Sequence, residues 1–137
     1  MTIDTRVRVA NRTHERCVPE TAYAVYRIGL PFIGQKGESP VFDLSEGGLL
    51  MQVSERVKWG AKAKLTITIP RYEESIPLAG IVRRCFESRK DNKIYAGIEF
   101  VDLPPPVRAK LRSMCEYFNS HYYKERRDAR QQNNLVQ

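Results

Sequence analysis

The sequence predicts a mainly β protein: a small six-stranded antiparallel β-barrel followed by a C-terminal amphipathic α-helix. Three observations carry this reading. Residues 62–69 (KAKLTITI) alternate strictly, with Ala63, Leu65, Ile67 and Ile69 on one side and Lys62, Lys64, Thr66 and Thr68 on the other. That is the period-two signature of a strand with one wet face. Similar short runs recur up to Val101 with turn residues between them, the spacing of a small barrel or sandwich. After Leu103-Pro104-Pro105-Pro106 the apolar period changes to three and four, which marks a helix. The 137 residues suit one domain, long enough to bury a core without cross-links.

Residues 1–16 are polar and unpatterned, and are expected to form a flexible basic arm; residues 17–103 form the barrel, and 104–137 the helix and a polar tail. The first strand holds Tyr23, Val25 and Ile28, and Gly29-Leu30-Pro31 breaks it. Ile33 to Pro40 reads as a turn-rich hairpin connection. Val41 to Leu44 is a short strand, Gly47-Gly48 a turn, and Leu49 to Val53 the returning strand. Ile76 to Phe86 comes after the alternating run, with Pro77 and Gly80 expected to confine it to an edge or a bend. Asp91-Asn92-Lys93 is a turn, and Ile94 to Val101 puts Ile94, Ala96, Ile98 and Phe100 on one face. Val107, Leu111, Met114, Cys115, Phe118 and Tyr122 then form the helix stripe. It either covers the open end of the barrel or mediates self-association, so a homo-oligomer through this helix stays open. Past Tyr123 the chain has almost no apolar side chains to bury.

Several classes are excluded. No apolar run reaches the roughly 18 residues a membrane span requires. The opening MTIDTRVRVANRTHER has no apolar stretch after its charges and is not a secretory signal. Cys17, Cys85 and Cys115 are odd in number and far apart, as expected of reduced thiols in a cytoplasmic protein. The two histidines, His14 and His121, lack zinc-like spacing, so no metal is expected. There is no Walker loop and no GxGxxG opening a helix, and the only two histidines lie in the basic arm and the terminal helix, where a nucleophile–histidine–acid constellation is hard to assemble. Glu73-Glu74 comes just after Pro70-Arg71 in what reads as a solvated turn. No enzymatic activity and no cofactor are expected.

The net charge of +7 is spread over both halves, but it is locally sharp. Arg6, Arg8, Arg12 and Arg16 face only Asp4 and Glu15, and such an arm favours anions. Two segments stand out: Arg12-Thr13-His14-Glu15-Arg16, an RxxxR, and Asp43-Leu44-Ser45-Glu46-Gly47-Gly48, a DxSxxG. Each alone is common. In this order, with Asp43 27 positions after Arg16, they resemble the PilZ family of bacterial receptors for cyclic di-GMP. The likeness runs over about residues 12–103 and includes Gly97-Ile98-Glu99-Phe100-Val101-Asp102-Leu103, similar to that family's last strand.

The resemblance implies a cytoplasmic, non-enzymatic cyclic di-GMP receptor that signals to a downstream protein partner. It implies that Arg12 and Arg16 bind phosphate and guanine, with Arg8 as an auxiliary, and that Asp43, Ser45 and Gly48 form the barrel-side floor. The chemistry agrees independently. A guanidinium fork pairs with phosphate oxygens or with guanine O6 and N7, a carboxylate accepts from a guanine amine, and a glycine admits close approach. The expected mechanism is ordering of the arm as ligand bridges the arginines to the barrel. Two alternatives belong to other classes. One is a small basic barrel binding single-stranded nucleic acid, which wants exposed aromatics among basic residues, whereas Phe42, Phe86, Phe100 and Tyr95 mostly alternate like core residues. The other is a PilZ-like scaffold that binds no nucleotide and acts through protein contacts.

Overall fold

A computed structural model of the chain describes residues 15–30, 34–70 and 73–120. Six strands, β1 (Tyr23–Ile28), β2 (Gln35–Leu44), β3 (Gly48–Val53), β4 (Lys62–Ile69), β5 (Glu74–Glu87) and β6 (Ile94–Val101), precede one helix, α1 (Pro105–Phe118). Every paired neighbour is antiparallel. The strands close into a barrel in the order β1-β2-β3-β6-β5-β4, with β1 pairing to β4 to complete the ring. The expected architecture is therefore the observed one.

Alternation builds the interior. Ala24, Tyr26 and Ile28 of β1, Leu65, Ile67 and Ile69 of β4, and Ala96, Ile98 and Phe100 of β6 are all buried, as period two requires of a closed sheet. The helix starts where Pro104 to Pro106 end strand pairing, with proline at its first two positions, where the missing N–H groups cost nothing. Leu111, Met114, Cys115 and Phe118 complete the core from α1, so this stripe covers the barrel. Tyr122, and with it the tail, lies outside the described residues.

Three sequence expectations fail locally, each for a steric or pairing reason. Most of the stretch from Ile33 to Pro40 is not a turn, since β2 begins at Gln35. Gly37 lies opposite Tyr26, and a Cβ there would stand 2.7 Å from the Tyr26 hydroxyl; the glycine makes room for a buried ring. Pro40 pairs with Tyr23 at the end of one ladder, and pairing with β3 starts only at Val41. Nor is β5 an edge. It runs 14 residues between β4 and β6. Pro77 pairs with Thr66 on β4, before β6 joins at Ala79, so no second ladder wants its missing donor. At Gly80 a Cβ would lie 2.4 Å from Ile98 Cγ2 and 2.8 Å from the Glu99 carbonyl oxygen.

Both β2 and β5 slip register by one residue, at Phe42 between Val41 and Asp43, and at Arg83 between Val82 and Arg84. Each bulge re-aims the side chains beyond it. Val41 and Leu44 both point inward, leaving Phe42 and Asp43 outside. Beyond Arg83, Arg84 and Phe86 share the outer face with Gly97 and Tyr95. Of the four aromatics expected in the core, only Phe100 is buried. Phe42, Phe86 and Tyr95 are half-buried on the outside, with Tyr95 edge-on to Phe42 at 5.3 Å and stacked on Phe86 at 5.6 Å.

Candidate ligand-binding site

The site starts where the N-terminal segment meets the barrel. Cys17 and Leu44 exchange both backbone hydrogen bonds, each 2.8 Å. This bridge sets Arg16 beside Asp43, and Arg16 Nη1 donates to Asp43 Oδ2 at 2.9 Å. The helix secures the same point. Asn119 Nδ2 donates to the Arg16 carbonyl oxygen at 2.6 Å and to Glu15 Oε1 at 3.1 Å. Beneath, the buried Cys17 and Cys115 thiols touch at 3.1 Å, and Cys115 Sγ lies 3.3 Å from the Leu44 carbonyl oxygen. The Cys115 contact, then burial, push the Cys17 thiol far above its ordinary range. It is a packing group, not a nucleophile.

The turn after Asp43 is built around Ser45. Its hydroxyl accepts from the Gly47 and Gly48 N–H groups at 3.0 and 3.2 Å, and its own N–H donates to the Gly48 carbonyl oxygen at 2.9 Å. That use of serine explains its presence in a tight turn. Gly48 opens β3 against β6, and a Cβ there would lie 2.1 Å from the Ile98 carbonyl oxygen. The close approach that demands glycine is therefore backbone to backbone. Glu46 ties the turn to α1, accepting from Arg112 Nε and Nη2 at 3.1 and 2.9 Å.

These groups rim a cavity of about 730 Å³. Register supplies its floor. Asp43, Leu50, Gly97 and Arg84 form one row across β2, β3, β6 and β5, so two ionic walls flank a low centre. Arg16 and Asp43 form one wall. Opposite, the Arg84 guanidinium lies 4.5 Å from the Phe86 ring centre. Arg83 Nε donates to Glu99 Oε2 at 3.0 Å, and its guanidinium lies 5.0 Å from the Trp59 ring. Arg108 from α1 also lines the space. Guanidinium groups on both sides of a flat floor can hold a planar, multiply anionic molecule by forked hydrogen bonds and stacking.

The structure thus gathers Arg16, Asp43, Ser45 and Gly48 in one place, whereas Arg12 and Arg8 lie outside the described residues. Sequence reasoning missed Leu50, Arg83, Arg84, Gly97 and Arg108. The available signal was Arg83-Arg84 inside an apolar strand, a pair that breaks alternation as a bulge does.

A closed six-stranded barrel, with an arginine segment bridged to a DxSxxG turn over an open trough, defines a compact class of barrel domain. The chain belongs to the PilZ domain family, whose model matches residues 10–117. The inhibitor of motility MotI from Bacillus subtilis superposes with a TM-score of 0.61 at 20% identity, over 77% of this chain and 49% of that one. YcgR from Escherichia coli in complex with c-di-GMP gives 0.63 at 16% identity, over 93% and 51%. The PilZ domain of YcgR with c-di-GMP gives 0.60 at 14%, over 90% and 98%. At these identities the superpositions establish a shared fold. The chain spans about half the length of MotI and of YcgR. A comparison with curated proteins found no match.

Proposed function

We propose that the chain is a non-enzymatic receptor for cyclic di-GMP whose N-terminal arm orders on binding and thereby signals to a protein partner. The observation that carries this is the Arg16–Asp43 pair, 2.9 Å apart on the rim of the trough, in a member of a family with c-di-GMP-bound structures. Arg16, with Arg12 four positions earlier in sequence and Arg8 as auxiliary, pairs with phosphate and guanine. Asp43 accepts from the guanine amine. Ser45 and Gly48 act by holding the turn that presents Asp43. Isothermal titration tests the reading: cyclic di-GMP binds, and GTP at the same concentration does not compete. No heat with cyclic di-GMP refutes it and leaves the scaffold reading.

One specific observation favours a second reading. Phe42, Phe86 and Tyr95 stand on the outer face beside Arg84, the stacking platform that single-stranded nucleic acid requires. A short single-stranded DNA in the same titration separates the two, because binding stronger than that of cyclic di-GMP favours this reading.

A further inference from the structure

A second, larger concavity of about 980 Å³ lies on the other part of the wall, over the outer faces of β2, β1, β4 and β5. Its floor is apolar: Val25, Pro77, Ala79, Val101 and Leu103 line it, and Val25 is 49% exposed. Register sets its rim. Arg27 stands directly opposite Lys36 on one side and Lys64 on the other, so three exposed cations form a row across three strands. Like charges directly opposite one another destabilise a sheet. Among the described residues none of the three forms an ion pair, even though Glu38 lines the same groove. The arrangement carries a cost to the isolated fold that an anionic partner would remove.

We propose that this groove docks a segment of a partner protein that carries acidic side chains beside apolar anchors, with carboxylates on the Lys36–Arg27–Lys64 row and apolar groups on the Val25–Pro77–Ala79 floor. Charge complementarity selects the class. A floor set between strands and the 101–104 segment is concave, which suits a narrow peptide segment and not a flat bilayer. The one aromatic in its lining, Tyr26, is 4% exposed and unavailable to stack on a base. This surface meets the Arg16–Asp43 trough at Leu103, which lines both, but shares none of its charged residues, and the proposal stands whether or not that trough takes cyclic di-GMP.

The test uses the full chain and a fluorescent eight-residue peptide of alternating glutamate and leucine, monitored by anisotropy. The peptide binds the wild type. The double variant Arg27→Ala/Lys64→Ala loses roughly threefold per cation and roughly tenfold in total, as exposed pairs predict. The control Arg89→Ala/Lys90→Ala removes the same charge from an exposed turn and binds like wild type. The groove variant melts no lower than wild type, because it relieves repulsion, and titrates cyclic di-GMP as wild type does. Equal loss in both double variants would reduce the effect to net charge and overturn the proposal. So would tighter groove-dependent binding of single-stranded DNA or of phosphatidylglycerol vesicles, or a ligand-free dimer abolished by the groove variant.

Discussion

At the scale of single residues, the Arg16–Asp43 pair is half-exposed on the arginine side, where an ion pair adds no more than about 1 kcal/mol to stability. Its value lies in the ligand. Arg16→Ala is expected to weaken cyclic di-GMP binding roughly tenfold or more, since hydrogen bonds to charged groups are worth about 1.5–3 kcal/mol, while melting barely moves; Arg12→Ala should behave alike. Asp43→Ala should cost more affinity than Asp43→Asn, which keeps an acceptor oxygen. Titrations of the variants alongside their melting curves check this, and unchanged affinity in both arginine variants removes the site assignment. Gly48→Ala should act oppositely, losing about 1–3 kcal/mol of stability because the new Cβ meets the Ile98 carbonyl. Asp43, Ser45 and Gly48 were legible in sequence because a tight turn restricts its residue types. Arg83 and Arg84 left only a weaker signal, two charges in succession inside an apolar strand, which marks a break in alternation but not which face either side chain takes.

At the scale of elements, the bulges and the helix decide what the trough contains. Without the slip at Arg83, Arg84 would point inward and the second ionic wall would vanish. The helix stripe from Val107 to Phe118 was readable from its period, but its grip on the N-terminal segment through Asn119 was not, since that contact joins residues 103 apart. Asn119→Ala should leave the melting temperature nearly unchanged and raise amide exchange at residues 15–18, with a modest loss of ligand affinity. Leu111→Ala, by contrast, empties a fully buried position and should cost about 2–5 kcal/mol. The turn from Asp91 to Lys93 is held by Tyr95, whose hydroxyl donates to Asp91 Oδ2 at 2.6 Å. That bond lowers the Asp91 carboxyl and raises the Tyr95 phenol. Its stabilisation therefore fades as pH falls through the Asp91 titration and as pH rises through that of Tyr95. A phenol absorbance titration should show one tyrosine ionising late, and Asp91→Asn should bring it back toward the others.

For the whole molecule, binding should be felt unevenly. Within residues 6–18, amides before Arg16 should gain most of the exchange protection with cyclic di-GMP, while Cys17, whose N–H already bonds Leu44, and β4, already buried on one face and paired on both sides, should change little. The affinity should fall with added salt, because charges near the surface are screened over about 8 Å at physiological ionic strength. Equal protection of the arm with and without ligand would mean a preformed pocket. Alternation alone made the barrel legible, and the sequence also marked its end at the prolines. It did not mark which strands would be neighbours across the ring, because pairing partners are chosen by closure and not by local composition.

That closure has a kinetic side. The ring is sealed by β1 against β4 and by β3 against β6, partners separated by intervening strands. Loop closure must precede the reward of such distant ladders, so refolding should take milliseconds to seconds, as for other β topologies rich in non-local pairs. Once sealed, the described strands leave only short stretches unpaired on one side, residues 35–40 of β2 and 74–78 of β5, far less edge than the open sheet offers another chain. The exposure to aggregation therefore belongs to the interval before sealing, and stopped-flow refolding at rising protein concentration should lose yield without changing its slowest rate.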